Sequence, residues 1–357
     1  FSIYSMNKIC IASMDKLGKG AGLMIRVKLG AALLLAGALV AAGCGSTSSG
    51  GGGGKVKLTL VAYSTPREAY QALIPAFQAT AAGKGVTFSQ SYGASGDQSR
   101  AVLAGLPADV VEFSLAPDLT KLVDADLVAP DWNAGPSKGM VTDSVVVLMV
   151  RKGNPKNLHT WDDLIKPGIQ VITPNPFSSG GARWNVMAAY GAQLKQGRTP
   201  AQATNYLLQL FKNVPVQDKS AREATQTFTG GKGDVEIAYE NEAIAAQQAG
   251  QPVDYVVPDQ TILIENPIAV TTKSRHHTQA KALVDFLESS AGQQLFARKG
   301  YRPVDPAAAK AAGFPTPSGL FTIADLGGWK DVAKRFFDKD TGVVAGIEKQ
   351  VGVSLGS

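Results

Sequence analysis

The chain has 357 residues with 35 Lys and Arg against 29 Asp and Glu, a formal charge of +6, and two cysteines. The positive excess sits at the start: residues 1–44 hold five basic residues and one acid, which leaves 30 basic against 28 acidic residues beyond them and no footing for nucleic acid. Both cysteines, Cys10 and Cys44, fall in the same segment, so the remainder can form neither disulfides nor thiolate metal sites and must be stabilised by burial.

Residues 1–23 begin with Phe and precede Met24; they read as an extension outside the working protein. From Met24, Arg26 and Lys28 introduce an apolar run at 31–42, the plan of a secretory signal peptide and too short to span a bilayer comfortably. The ending Ala41-Ala42-Gly43-Cys44 resembles the bacterial lipoprotein processing box, although Ala41 stands where that pattern favours Leu. The resemblance implies a signal at 24–44 and a lipidated Cys44 as the mature first residue. Gly and Ser then fill most of 45–55, a tether unable to build a core.

About 300 residues follow, more than one core usually takes, so two lobes are expected. Strand-like runs at 56–62, 86–90, 110–113, 145–150, 170–173, 235–239 and 262–264 alternate with helical stretches, which predicts an α/β fold with mostly parallel sheets. Four helix starts follow strand-like segments. Thr65-Pro66-Arg67-Glu68, Ser95-Gly96-Asp97-Gln98 and Ser220-Ala221-Arg222-Glu223 read as capping boxes, and the fourth start carries Ser179. In open α/β sheets ligands lie at these carboxyl ends of strands.

The fourth start, Asn175-Pro176-Phe177-Ser178-Ser179-Gly180-Gly181-Ala182-Arg183-Trp184, combines hydroxyls and glycine amides in a turn that opens a helix. Trp184, Met187, Ala188, Gly191 and Leu194 continue at helical spacing, so the glycines fall where the first free N–H groups point outward. An oxyanion there meets the positive end of the helix. No Lys precedes a Ser or Thr as in a nucleotide-binding loop, so a free inorganic oxyanion suits the turn better than a nucleoside triphosphate. An ordinary glycine-bearing turn is the alternative.

That turn, Arg151-Lys152-Gly153-Asn154-Pro155-Lys156, Trp161-Asp162-Asp163-Leu164, Gln90-Ser91-Tyr92-Gly93-Ala94-Ser95-Gly96-Asp97-Gln98, Glu240-Asn241-Glu242-Ala243 and Tyr301-Arg302-Pro303 together resemble the sulfate-binding proteins of bacterial ABC importers, from about Leu58 to Trp329. The resemblance implies a two-lobed periplasmic-binding-protein type II fold, with 56–147 and 265–357 in the first lobe, 148–264 in the second and the ligand cleft between them. It places ligand contacts on the side chain and amide of Ser95, the side chain of Ser179, the amides of Gly180, Gly181 and Ala221, and an aromatic donor on Tyr239. It further implies an extracytoplasmic, lipid-anchored monomer that needs no cofactor or metal and delivers sulfate or thiosulfate to an ABC permease. Phosphate and molybdate remain alternative oxyanions.

The chain departs from the family's pattern near this site. Tyr239 replaces an indole donor, Ser64-Thr65-Pro66 replaces an Asp-containing turn, Phe177 replaces a Lys, and Asp97 stands where a basic or neutral residue is usual. Asp97 is expected to face solvent, and Arg183 and Arg222 to tie a carboxylate or carbonyl outside the site. The rival class is a lipoprotein hydrolase with Ser178 or Ser179 as nucleophile and Glu240 with Glu242 as paired carboxylates. The only imidazoles are His159, His276 and His277, and none lies near another convincing triad member in sequence.

Overall fold

The computed structural model describes residues 56–353 and Leu355; the expected extension at 1–23, the signal at 24–44 with Cys44, and the tether at 45–55 lie outside the described residues. The elements run β1 (Lys57–Tyr63), α1 (Arg67–Gln78), β2 (Thr87–Gly93), α2 (Ser95–Leu103), β3 (Val110–Glu112), α3 (Ala116–Asp124), β4 (Met140–Arg151), β5 (Val171–Ile172), α4 (Gly180–Lys195) and α5 (Pro200–Lys212). They continue α6 (Ala221–Thr229), β6 (Val235–Tyr239), α7 (Glu240–Gln248), β7 (Val253–Val256), β8 (Leu263–Val270), α8 (His277–Glu288), α9 (Ser290–Arg298), α10 (Pro306–Ala312), α11 (Gly328–Phe337) and α12 (Val343–Gln350).

Strand order is β2-β1-β3-β8-β4-β6-β5, with β7 also paired to β4. β1 runs parallel to β2 and β3, and β5 parallel to β6, as crossover helices require. The expected parallel bias fails at β4 and β8, which are antiparallel to each other and to β3, β6 and β7. These two strands carry the chain between the lobes. β4 pairs with β8 as far as Val145 and with β6 from Val146 onward, so the returning strand lies beside the outgoing one in the opposite sense.

β8 is longer than its apolar run suggests because Glu265-Asn266-Pro267 interrupts the pattern without ending the strand. Buried Asn266 donates through Nδ2 to the Ser114 carbonyl at 2.9 Å. Pro267 sits opposite an irregularity between Met140 and Thr142 in β4, the kind of place where a strand tolerates a missing N–H.

The sheet is covered on both faces in each lobe. In the first lobe Leu58, Leu60 and Ala62 pack with Tyr70, Phe77, Leu283 and Phe296, while the alternate residue Val61 packs with Phe113, Leu119 and Leu122. In the second, Val146, Leu148 and Val150 face Trp184, Leu207 and Phe336, and Val145, Val147 and Met149 face Phe228 and Ala246. The C-terminal part departs from the expected division. Phe321, Val332, Phe336 and Val344 join the second lobe's core, so residues 321–350 belong there and not with the first lobe. The cause is aromatic complementarity: Trp329 meets Trp184 edge-on at 4.6 Å between ring centroids, and Phe336 meets Tyr190 at 4.7 Å.

Candidate functional site

Four helix starts meet where strands of the two lobes end. In the second lobe the turn after β5 closes on Asn175, whose carbonyl accepts from the amides of Ser178 (3.3 Å) and Ser179 (2.9 Å) and whose Oδ1 accepts from Phe177 N. This presents Ser179 as the cap of α4, its Oγ accepting from Ala182 N at 3.3 Å. The hydroxyl proton of Ser179 stays free to donate. Ser220 caps α6 in a complete capping box with Glu223, which leaves Ala221 as the first helical residue.

The first lobe behaves differently. The box expected at Thr65 does not form: α1 starts after Pro66, the Thr65 hydroxyl lies 3.2 Å from Tyr301 Oη, and Glu68 reaches Arg222 instead. Nor does the one at Ser95. Ala94 occupies the cap position, and the Ser95 hydroxyl donates to Asp118 Oδ2 at 2.8 Å and accepts from Ser114 N at 3.0 Å. Its only proton is therefore committed, and Ser95 offers the cleft its amide.

The amides of Ser95, Gly180, Gly181 and Ala221 find no acceptor among the described residues. Ser95, Ser179, Gly180, Gly181 and Tyr239 are all buried. Their spacing is tight. A Cβ on Gly181 would lie 3.3 Å from Ala221 Cβ, 3.4 Å from Ser179 Oγ and 3.5 Å from the Tyr239 ring, and one on Gly180 would strike Ser114 Oγ at 2.7 Å. At Gly180 glycine is thus demanded by close approach of the lobes, while Gly181 sits in tight contact within its own lobe. The Tyr239 hydroxyl shares a 2.6 Å hydrogen bond with Ser114 Oγ, and burial pushes its phenol upward, so it remains an O–H throughout the neutral range. These contacts set Ser179, Gly181, Ala221 and Tyr239 side by side and join Gly180, Tyr239 and Ser95 through Ser114, whereas the side-chain contact expected of Ser95 is taken by Asp118; Cys44 lies outside the described residues.

Sequence reasoning missed Ser114. Ser114 joins the halves of the site: its amide serves Ser95, its hydroxyl Tyr239, and its carbonyl accepts from Trp184 Nε1 at 2.8 Å and from Asn266. The available signal was a polar residue between β3 and the proline-bearing start of α3. Ser64 Oγ accepts from Arg222 N at 3.4 Å.

The lobes are closed on each other. Gly96 N donates to Ser178 O at 3.2 Å, Lys219 pairs with Asp97 at 2.8 Å, and Arg222 reaches Glu68 Oε1 (2.9 Å), Thr65 O (3.2 Å) and its own lobe's Glu242 (3.2 Å). The terminal nitrogens of Arg222 are thereby spent on carboxylates and a carbonyl, while its buried Nε finds no partner among the described residues. Arg183 donates to Pro176 O at 2.9 Å and lies over the Phe337 ring. Asp97 is also held by Arg100, at the rim. Neither arginine nor Asp97 joins the cluster of free amides.

A hydrolytic constellation does not assemble. The Ser178 hydroxyl donates to Lys219 O at 2.7 Å, and His159 contacts Asn157. Glu240 accepts two hydrogen bonds from Arg302, and Glu242 is held by Arg222 and Thr225, so neither carboxylate is free to work as a base. Among the described residues no group of three His, Cys, Asp or Glu side chains is placed to hold a metal.

The bacterial extracellular solute-binding protein family matches residues 58–302. The chain is 44% identical to a sulfate-binding protein of Synechococcus elongatus over 86% of this chain and 92% of that one, and 37% identical to a thiosulfate-binding protein of Pseudomonas aeruginosa over 78% and 88%. Among solved structures, the sulfate-binding protein SubI from Mycobacterium tuberculosis H37Rv is 50% identical, with a TM-score of 0.77 over 79% of this chain and all of that one.

Proposed function

The chain belongs to the bacterial extracellular solute-binding proteins, and we propose that it is the sulfate receptor of an ABC importer, gripping the dianion between its lobes with uncharged donors. It is a transport receptor and not an enzyme. The observation that carries the ligand assignment is the convergence of four unpaired helix-start amides beside the free hydroxyl of Ser179 and the phenol of Tyr239. Sulfate at neutral pH has only acceptor oxygens. Burying it without partners would be prohibitive, but charge-assisted hydrogen bonds of about 1.5–3 kcal/mol each replace its water. Three positive helix ends, those of α2, α4 and α6, add about 0.3–2 kcal/mol apiece.

Hydrogen phosphate carries one O–H that needs an acceptor. Asp118, the carboxylate bonded to Ser95, already accepts from that serine at Oδ2 and from Lys121 at Oδ1 (2.9 Å), so a guest proton would have to compete with both. Selection against a protonated guest follows from the unpaired polar group it would leave. With the arginines committed elsewhere, no counter-ion holds the guest once the lobes part. Ligand biases closure through the amides contributed by both lobes, since only differential affinity can shift a hinge.

Sulfate ranks above thiosulfate because the more similar relatives carry the former name. The receptor works outside the cytoplasm. Its attachment there through lipidated Cys44, its action as a monomer and its docking on a permease complete the proposal. Competitive calorimetry with sulfate, thiosulfate, molybdate and phosphate tests the ligand, and phosphate winning would sink the assignment. Mass spectrometry of the N-terminal peptide from membranes tests the anchor, an unmodified Cys44 being the contrary result.

A further inference from the structure

One turn along α6 from Ala221, one hydroxyl stands between two carboxyl groups. Thr225 Oγ1 lies 2.8 Å from Glu236 Oε1 and 3.1 Å from Glu242 Oε2, and all three side chains are buried. A threonine hydroxyl has a single proton and can donate to only one of them. If both groups were ionised, the second contact would press an oxygen lone pair against a carboxylate in a buried site. The arrangement is satisfied when one carboxyl carries a proton and donates it to Thr225 Oγ1, while Thr225 donates onward to the other.

Which carboxyl holds the proton follows from the neighbours. Glu242, on α7, has the Arg222 guanidinium at 3.2 Å from Oε1, so its charge is compensated. Glu236, on β6, accepts from no cation, and its Oε2 has no hydrogen-bond partner. An unpartnered oxygen is tolerable on a neutral acid and very costly on an anion. The charged groups facing Glu236 are Glu242 from α7, Asp218 from the segment before α6, Arg222 from α6, and Arg151 at the end of β4. Arg151 is spent on the carbonyls of Phe228, Lys232 and Gly233.

We propose that Glu236 is a protonated positioning residue: it fixes the direction of the Thr225 hydroxyl onto Glu242, which steadies Arg222 and the first turn of α6 that carries the Ala221 amide. The chain of bonds runs Glu236 to Thr225 to Glu242 to Arg222 to Glu68, from the heart of the second lobe to the first turn of α1 in the other. The proton has a second consequence, which rests on the sulfate reading. An ionised Glu236 would add a negative charge behind a site that takes a dianion, so the two charges oppose each other and ligand binding pulls a proton onto Glu236 whenever it has been lost. Burial raises this carboxyl well above its ordinary range, so the proton is lost at higher pH than from an ordinary carboxyl.

Two measurements on the intact protein and on Glu236→Gln test this. The first needs no ligand: infrared difference spectra at neutral pH should lose a carboxylic-acid C=O band in the variant. Subtraction removes other buried acids such as Glu112, which burial pushes up to about 8. If no acid band disappears, Glu236 is ionised and the inference is wrong whatever the ligand. The second is sulfate calorimetry at alkaline pH in buffers of different ionisation enthalpy. The native protein should take up protons on binding and lose roughly three- to tenfold in affinity between neutral and alkaline pH; both effects should vanish in Glu236→Gln. Equal proton uptake in both proteins overturns the inference and leaves the sulfate assignment standing, whereas loss of the acid band with no sulfate binding by the native protein overturns the sulfate assignment alone.

Discussion

The two halves of the cleft present similar helix starts and build them by different means. In the second lobe Ser179 and Ser220 bond to the helices they open, at Ala182 N and Glu223 N, so that half of the site is written locally. In the first lobe Thr65 and Ser95 leave their helix ends for Tyr301 and Asp118, and Glu68 crosses to Arg222. The lesson is that capping sequences mark where an anion can sit, but a hydroxyl can serve the guest only if its proton is not already given to the fold. One lobe supplies a prepared hydroxyl with its amides. The other supplies an amide held by tertiary bonds.

The largest expected effect comes from Gly180→Ala. The new Cβ belongs to the second lobe, and the atoms it strikes, Ser114 Oγ at 2.7 Å and Leu115 Cδ2 at 2.8 Å, belong to the first. Closure is penalised while each lobe keeps its own core, so sulfate affinity should fall on the order of 100-fold or more with little change in the melting temperature of the ligand-free protein. A ligand-free melting point that drops as steeply as affinity would show that the lobes do not move apart as separate bodies.

Ser179→Ala comes next. It removes a free donor and a cap together, and calorimetry should record about a 10- to 100-fold loss. Ser95→Ala sharpens the contrast: with its proton already on Asp118, the expected affinity loss is below about fivefold, while stability falls by about 1–3 kcal/mol because Asp118 and Ser114 N lose a buried partner. Should Ser95→Ala weaken sulfate as much as Ser179→Ala, the distinction between the lobes is mistaken.

Arg222→Met removes the tie to Glu68 and leaves buried Glu242 without its cation. Affinity is expected to drop about tenfold, since the Glu68 end is partly exposed and screened. Smallest is Asp97→Asn at the rim, where Lys219 and Arg100 are largely exposed; a change within about twofold, shrinking with added salt, is the expected reading of a titration series.

Much of this was legible in the residues. The apolar alternation of Leu58, Leu60 and Ala62 and the run Val235–Tyr239 gave strands where they stand, and the Ser179-Gly180-Gly181 turn declared its chemistry. What escaped depends on distant partners. β8 was cut short because Asn266 and Pro267 look like loop residues until Ser114 and the β4 irregularity are seen opposite them. α11 and α12 went to the wrong lobe because nothing local reveals that Trp329 and Phe336 meet Trp184 and Tyr190. Ser114 stayed hidden because its importance lies wholly in bonds to Ser95, Tyr239, Trp184 and Asn266, each distant in sequence. Local rules failed at Thr65 and Ser95, where function and tertiary contacts outrank capping.

The central claim is that a tetrahedral, proton-free anion is held by uncharged donors of both lobes at one locus. Crystals of the native protein grown with selenate, a heavier isostere of sulfate, would locate that anion directly by anomalous scattering. The account predicts a single strong peak within hydrogen-bonding distance of the amides of Ser95, Gly180, Gly181 and Ala221 and of the Ser179 hydroxyl. A peak bound instead at Arg222, Lys219 or another exposed cation, with those amides facing no anion, would contradict it.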